Sequence, residues 1–389
     1  MPLKKPNLRP LAMSLERQNS VQMSDTGSLA LDNFVIGRNG ITQSPLQLGE
    51  HDPHLRLQDL VMQRQLGRGM SSKVYLMVHR PTGKPVAVKV LQSNAEQDRE
   101  SRQMVLNEVR TVFAARSDHL VAFYDAFHHE GCLHLVLEYC DMGSLEGLYE
   151  TLQRPGAPRM SEPVLAALLF QLVQGLTYLH KEKRAVHRDL KPANVLLTSS
   201  GFVKLSDFGI SRELDATHAM AATYCGTAAY MSPERLVDGG VYGFPSDVWS
   251  VGLIGLEGVL GRYPYPHYTS HFDLVNTVVN GPPPTARPEL QQALSSELWQ
   301  LLHAMMARDP AARPDVYAIA RSPFMLRSMS QPVDFAAWLR AVASRAASAS
   351  PPPAAAGSAA ATSGASDPMA NRSGAPSAPP AAATKPHRS

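Results

Sequence analysis

The hydrophobic pattern of the chain changes character near residue 160. Before that point, the runs LQDLVMQRQLG, KVYLMVHR, VAVKVL, HLVAFYDAF and LHLVLEY are separated by turns, which predicts strands. One segment, near residues 97–114, instead places Met104, Glu108 and Val112 one turn apart on a helix face. After Ser161 long helical patterns such as PVLAALLFQLVQGLTYLHKEK take over. A small β-rich lobe followed by a larger helical lobe is therefore expected, with the chemistry in the cleft between them.

The regions on either side of this globular part, residues 58–329, have different patterns. Residues 1–57 are polar, show no sustained hydrophobic period, and are predicted to form a flexible arm. Residues 330–345 are predicted to form an amphipathic helix. Its apolar residues share one face: Phe335, Trp338, Leu339 and Val342. Residues 346–389 are mostly Ala, Pro, Ser and Gly, so they are predicted to be a disordered tail.

Composition narrows the class of protein. With 44% apolar residues in 389, the chain has ample material for a core. Its 37 Lys and Arg against 34 Asp and Glu give a net charge of +3, too balanced to indicate binding to nucleic acid or lipid. Three widely spaced cysteines fit no disulfide framework or zinc pattern, and neither a membrane span nor a secretory signal is evident. A cytosolic protein is expected.

Two motifs in the β-rich part indicate phosphate chemistry. In LGRGMSSKV, Gly67 and Gly69 allow the backbone to approach a phosphate closely, although such glycines often only make turns. In VAVK, Lys89 lies in an apolar strand, where an unpaired ammonium group is costly. Glu108 on the following helix is the expected partner, either at a binding site or in a structural ion pair.

Two further motifs in the helical part carry acidic and amide side chains. VHRDLKPANVL and VKLSDFG place Asp189, Lys191, Asn194 and Asp207 on loops between short apolar runs. Carboxylate and amide oxygens suit Mg²⁺, which prefers one or two carboxylates together with substrate phosphates. Lys191 is positioned in this pattern to neutralise charge on a transferred phosphoryl group.

The ordered set of glycine-rich loop, VAVK, HRD with its downstream Asn, DFG and SPE resembles the eukaryotic protein kinases over residues 58–329. The resemblance implies the two-lobed α+β kinase fold, with ATP and Mg²⁺ as cofactors. It implies that Lys89, paired with Glu108, holds the α- and β-phosphates, and that Asp189 orients the substrate hydroxyl. Lys191 would then steady the γ-phosphate, and Asn194 and Asp207 would bind Mg²⁺.

The same resemblance places adenine against the carbonyl of Glu138 and the N–H of Cys140, with Val74 and Ala87 covering the ring. The remaining ATP-binding residues that it implies are Leu66, Gly67, Arg68, Gly69, Met70, Ser71, Ser72 and Lys73. Ser72 replaces the third glycine of the family loop, which stiffens the loop without removing a catalytic group.

Other motif residues are expected to be architectural. His187 is predicted to pack with Phe208 and Val112 rather than to act in catalysis. Asp247 is predicted to cap a helix and to hold the catalytic loop. Glu234 and Arg313 resemble the buried ion pair of the family.

Within the kinases, GTAAYMSPERL, GRYPYP and VDFAAWL resemble the mitogen-activated protein (MAP) kinase kinases. That resemblance implies a dual-specificity enzyme that phosphorylates Thr and Tyr in the activation loop of a MAP kinase and is itself a target of an upstream kinase. Lys191 and Thr227 fit the serine/threonine branch. Two alternatives are a Ser/Thr-only kinase of a neighbouring cascade tier and a catalytically weak scaffold; the intact Lys89, Asp189, Asn194 and Asp207 argue against the scaffold.

Regulatory features follow from the same resemblance. Thr217 and Thr223 are predicted to be activating phosphosites whose phosphates pair with Arg188. At the N-terminal end a basic pair and an apolar pair resemble the docking motif with which these kinases bind their substrate: Lys4, Lys5, Leu11 and Met13. VDFAAWL, residues 333–339, is interpreted either as a docking helix or as a packing helix.

Overall fold

A computed structural model describes residues 22–23, 29–31, 34–37, 40–42, 55–69, 72–92, 117–207, 228–237, 243–266, 268 and 270–349. The residues with predicted roles that lie outside these ranges include Lys4, Lys5, Leu11, Met13, Met70, Ser71, Glu108, Val112, Phe208, Thr217, Thr223 and Thr227.

The β-rich lobe is built on a five-stranded antiparallel sheet in the order β5-β6-β7-β9-β8. Its strands are β5 Leu60–Arg68, β6 Ser72–His79, β7 Lys84–Gln92, β8 Phe123–His129 and β9 Cys132–Glu138. Gly83 and Gly131 adopt positive φ in the turns that join β6 to β7 and β8 to β9, where glycine is the least strained residue. Val88, Phe127 and Val136 are fully buried on one face. The strands expected from the hydrophobic pattern are present.

The helical lobe contains ten α-helices in the described residues. They are α1 Leu145–Leu152, α2 Glu162–Thr177, α3 Pro233–Leu236, α4 Phe244–Leu260, α5 His271–Val275, α6 Pro288–Ala293, α7 Ser296–Met305, α8 Val316–Ala320, α9 Pro323–Met329 and α10 Phe335–Ala349. Helices α2 and α4 are apolar along most of their length and form the centre of this lobe, with Leu168, Leu172, Trp249 and Ile254 fully buried. The two-lobed α+β fold is confirmed.

One helical run in the described residues, Glu162–Glu182, is long and apolar enough to cross a membrane by length and composition. Its apolar side chains belong to the core of the helical lobe. Most of this run is buried inside the fold, which accounts for its hydropathy.

A short antiparallel hairpin connects the two chemical motifs of the helical lobe. Its strands are β10 Val195–Leu197 and β11 Val203–Leu205. The segment 187–194 enters β10, and Asp207 follows β11 by two residues. The hairpin therefore brings the HRD and DFG motifs side by side.

The N-terminal region differs from the flexible arm predicted for residues 1–57. Its described residues form a four-stranded antiparallel sheet, with β1 Gln22–Met23, β2 Leu29–Leu31, β3 Phe34–Gly37 and β4 Gly40–Thr42. Strands β3 and β4 contact β8, and Ile36 is fully buried. Leu31 pairs with Phe34 and Gly37 with Gly40, so two residues separate each pair. The two-residue sequences between them, Asp-Asn and Arg-Asn, each contain Asn, a residue that favours tight turns.

The helix predicted over residues 330–345 begins later and ends later, at Phe335–Ala349. Pro332 precedes it, and the Asp334 carboxylate accepts a hydrogen bond of 2.8 Å from the N–H of Ala337, which marks the first turn. The predicted start of the tail at residue 346 therefore falls inside the helix. Phe335, Leu339 and Val342 are buried against α1 and α2, so the predicted apolar face is a packing face.

Candidate active site

Lys89 projects from the middle of β7, between Val74 of β6 and Leu135 of β9. Its Nζ lies 2.7 Å from Oδ1 of Asp207, and its side chain is 11% exposed. The structure thus joins the VAVK and DFG motifs directly; Glu108, the partner that the sequence predicts for Lys89, lies outside the described residues. Asp207 has φ 51°, a left-handed conformation that is uncommon for a residue other than glycine. Strain of this kind is concentrated at functional sites.

The segment from His187 to Asn194, here called the catalytic loop, brings three predicted residues together. Nζ of Lys191 lies 3.1 Å from Oδ2 of Asp189. The amide nitrogen of Asn194 donates to the Asp189 carbonyl at 2.8 Å and to its carboxylate at 2.9 Å. Ser206 donates its N–H and its hydroxyl to the Asn194 carbonyl at 2.9 and 3.1 Å. These bonds connect the catalytic loop to the residue that precedes Asp207.

The carboxylate of Asp247 anchors the backbone of the catalytic loop. It lies one turn inside α4, is 1% exposed, and accepts hydrogen bonds from the N–H groups of His187 at 2.8 Å and Arg188 at 3.0 Å. Nε2 of His180 is also 2.8 Å from its Oδ2. The predicted anchoring of the loop is therefore observed, whereas the predicted helix cap is wrong, because α4 starts at Phe244 with Gly243 before it.

His187 is completely buried beside this carboxylate. Burial lowers the pKa of its imidazole, although Asp247 and Asp189 act in the opposite direction. Because the neutral form is favoured, His187 is suited to packing and hydrogen bonding. Its Nδ1 accepts from the N–H of Asp189 at 3.3 Å.

The glycine-rich turn between β5 and β6 closes through a hydrogen bond of 2.8 Å from the N–H of Gly69 to the carbonyl of Ser72. A Cβ on Gly69 would lie 2.9 Å from Oγ of Ser72, so a side chain at Gly69 would require the hydroxyl of the serine that replaces the third loop glycine to move. Across the turn, Gly67 pairs with Val74 and Arg68 with Lys73. Leu66 lies on the same strand, β5.

The predicted adenine end of the cleft lies where β9 leaves the sheet. Residues 138–141, here called the hinge, follow Leu137, which pairs with Ala87. Cys140 is buried, and this burial raises the pKa of its thiol to about 12, so the thiol stays protonated. The side chain of Glu138 turns towards the helical lobe, where its Oε2 lies 2.9 Å from Nζ of Lys204. The sequence did not indicate this contact.

Residues 228–235, which follow the DFG-containing segment, are anchored to the helical lobe by an ion pair. Glu234 and Arg313 form two hydrogen bonds of 2.8 Å, as predicted, and the Arg313 side chain is fully buried. Burial raises the pKa of Glu234, but the hydrogen bonds from Arg313 outweigh this effect and lower the pKa. Arg235 donates to the carbonyl of Arg188, which joins this segment to the catalytic loop.

Tyrosines provide further anchors that sequence reasoning missed. The hydroxyl of Tyr230 donates to Oε2 of Glu257 at 2.5 Å, and the hydroxyl of Tyr263 donates to the carbonyl of Ala229. Burial and the nearby Glu146 raise the pKa of Glu257 to about 7. The only available signal was the tyrosine-rich run RYPYPHY, residues 262–268, near the end of α4.

Within the described residues, no group of three or more His, Cys, Asp or Glu side chains is placed to hold a metal ion. The predicted magnesium ligands are one carboxylate and one amide. Both hydrogen bonds of Asn194 described above use its nitrogen, so its amide oxygen is the atom suited to a cation. Two oxygen donors of this type fit Mg²⁺, which keeps water and substrate phosphates as its other ligands.

Comparison with known proteins agrees with this geometry. Residues 60–325 match the protein kinase domain family. The chain is 33% identical to mitogen-activated protein kinase kinase SIPKK of Nicotiana tabacum, across 83% of this chain and 92% of that protein. It is 37% identical to mitogen-activated protein kinase kinase 2 of Arabidopsis thaliana, across 70% and 74% of the two chains. With mitogen-activated protein kinase kinase 1 of the same plant it shares 32% identity, across 80% and 88%.

Proposed function

The chain belongs to the protein kinases and, within them, to the MAP kinase kinases, and we propose that it transfers the γ-phosphoryl group of ATP to Thr and Tyr in the activation loop of a MAP kinase. The observation that carries this proposal is the convergence of Lys89, Asp207, Asp189, Lys191 and Asn194 within one cleft. Phosphoryl transfer depends mainly on positioning and on electrostatic stabilisation, and these are the functions such a set of side chains performs.

Each side chain has a role that its contacts support. Lys89, already beside Asp207, holds the α- and β-phosphates of ATP. Asp189 accepts or orients the proton of the substrate hydroxyl, and Lys191 at 3.1 Å neutralises charge on the transferred group. Asp207 and Asn194 would hold Mg²⁺, which would neutralise the phosphate oxygens when bound.

Partners are proposed from the relatives. Their names place them in mitogen-activated protein kinase cascades. We therefore propose a MAP kinase as substrate, an upstream MAP kinase kinase kinase as activator, and the cytosol as the location. The basic and apolar residues Lys4, Lys5, Leu11 and Met13 are proposed to bind the substrate kinase, because their charge and spacing suit an acidic patch beside shallow apolar pockets.

Activation is proposed to require phosphate on Thr217 and Thr223. Arg188 supports this proposal. Its backbone N–H is bound by Asp247 and its carbonyl by Arg235, so the position from which its guanidinium group extends is fixed. A phosphate carries roughly −1.5 to −2 charge at neutral pH and forms strong hydrogen bonds with arginine.

The test uses the full chain with Thr217→Asp and Thr223→Asp, incubated with ATP, Mg²⁺ and a panel of catalytically inactive MAP kinases, followed by mass-spectrometric mapping of phosphosites. Phosphate on both Thr and Tyr of one substrate is expected. Phosphate on Thr alone would favour the Ser/Thr-only kinase, and tight substrate binding without transfer would favour the scaffold. The matched control adds Asp207→Asn, which should keep the fold and substrate binding but lower turnover by at least about a hundredfold.

A further inference from the structure

The side chain of Glu138 connects the hinge to two other parts of the chain. Its Oε2 lies 2.9 Å from Nζ of Lys204 and accepts a hydrogen bond of 3.1 Å from the N–H of Ala122. The backbone N–H of Glu138 in turn donates to the Ala122 carbonyl at 2.8 Å. The hinge residue is therefore attached both to the segment that leads into β8 and to β11 in the helical lobe.

Lys204 sits at the centre of β11. It pairs with Leu196 of β10 and precedes Asp207 by three residues. Leu205 next to it exchanges backbone hydrogen bonds with the 119–121 segment, from its N–H to the His119 carbonyl at 2.9 Å and from the N–H of Val121 to its own carbonyl at 3.0 Å. A shift of the Lys204 ammonium relative to Glu138 would therefore move β11, and with it Asp207 two residues further on, relative to the hinge.

The cost of burial shows that this ion pair is not an incidental surface contact. The Lys204 side chain is 9% exposed and that of Glu138 is 22% exposed. A lysine so deeply buried is expensive unless it is paired, and an apolar pair of similar volume would stabilise the fold at least as well. Stability alone thus does not account for the charges, whereas a fixed distance between two elements does.

We propose that Lys204 and Glu138 are positioning residues that set the hinge, and with it the adenine of ATP, at a fixed distance from Asp207 and the phosphates. The proposal rests on the assignment of ATP to this cleft. Neither side chain needs to touch the nucleotide: the backbone of Glu138 faces adenine, and Lys204 acts through β11. The two ends of ATP are then bound by elements that cannot move independently.

A double-mutant cycle with Lys204→Met and Glu138→Gln tests this role in the full chain. Each single substitution leaves one charged side chain of the pair without its ion-pair partner. Both single variants should therefore be less stable and should show a KM for ATP raised by about tenfold, with a smaller change in kcat. The double variant contains no unpaired charge, so its stability should return towards wild type. Its KM for ATP should nevertheless stay raised, because the connection between the hinge and β11 is still missing.

The control is Lys181→Met, which removes a lysine ion pair of the same length, 2.9 Å to Asp315, away from the cleft. It should leave the KM for ATP unchanged. If the KM of the double variant recovered together with its stability, or if neither single variant changed the KM, the pair would be structural only. Direct titration of the wild type with a fluorescent ATP analogue tests the assignment of ATP to this cleft separately from the positioning role of the ion pair. Failure of the analogue to bind would overturn the ATP assignment. Binding of the analogue together with an unchanged KM in the variants would overturn only the positioning role.

Discussion

Replacing Asp247 with asparagine should loosen the catalytic loop without removing any residue that touches ATP or substrate. The carboxylate accepts three hydrogen bonds, two on Oδ2 from His187 and His180 and one on Oδ1 from Arg188. Asparagine offers one oxygen and one NH₂ group. If the oxygen keeps the Oδ2 site, the NH₂ group faces the N–H of Arg188, and two donors then oppose each other.

The size of the effect follows from that geometry. A hydrogen bond to a charged group contributes roughly 1.5–3 kcal/mol, and a buried donor left without a partner costs about 1–3 kcal/mol. We therefore expect Asp247→Asn to lower the free energy of unfolding by about 2–4 kcal/mol. Arg188 has φ 71°, a strained conformation that persists only while the surroundings impose it. Once it relaxes, the neighbouring Asp189 moves, and a displacement of about 1 Å can cost about a hundredfold in rate.

Urea unfolding gives the stability change, and kcat on an intact MAP kinase gives the catalytic effect under conditions where the variant is folded. The matched control is Asp315→Asn, the same chemical change at the N-cap of α8, where the carboxylate accepts from the N–H of Ala318 at 2.9 Å. Asparagine caps helices as well as aspartate does, and the ion pair with Lys181 that is also lost is exposed, so this variant should lose less than about 1 kcal/mol and keep its kcat. A kcat of Asp247→Asn within about threefold of wild type would refute the claim that this carboxylate positions the catalytic loop.

Three more substitutions probe separate contacts. Arg313→Lys should lower the free energy of unfolding by about 2–4 kcal/mol in urea, because a lysine at this buried position cannot reproduce both hydrogen bonds to Glu234. Gly201→Ala should lower it by about 1–3 kcal/mol, because Gly201 has φ +89° and a Cβ there would lie 2.9 Å from that of Ala336 in α10. Glu257→Gln should become more stable relative to wild type as pH rises from 5 to 8, by up to about 3 kcal/mol in matched thermal or urea unfolding. The sign follows because the folded-state pKa of Glu257 is about 7, against 4.5 as its ordinary value, so wild type loses stability as pH rises through this range.

Each of these has a control of the same chemistry. Arg327→Lys alters an arginine whose side chain is 45% exposed, and it should cost little. Gly83 also has a positive φ, but a Cβ added there would have no atom within 4 Å. The difference in the free energy of unfolding between Gly201→Ala and Gly83→Ala therefore isolates the clash with α10. For Glu257→Gln, the comparison is the same substitution at exposed Glu150, measured in the same unfolding assay. Equal losses in the two glycine variants, or parallel pH curves for Glu257→Gln and wild type, would contradict the respective argument.

The sequence by itself determined the strands of the β-rich lobe and the grouping of the side chains of the catalytic loop. Strand alternation is local, so β5 to β9 were visible as short β-branched runs. Asp189, Lys191 and Asn194 lie within six consecutive residues, and a tight loop of that length leaves their side chains close together in almost any fold. The Glu234–Arg313 pair was inferred through resemblance to a family, since no local period connects residues 79 positions apart.

Tertiary structure alone decided which charged groups meet across the molecule. Lys89 and Asp207 are 118 positions apart, and their contact exists because β7 and the end of β11 face each other across the cleft. The partners of Glu138, Glu257 and Gly201 were likewise invisible, because each contact depends on how whole elements pack. A sequence records the period of an element and the order of its motifs, whereas the distance between two side chains on different elements is set by the burial of all the apolar residues between them.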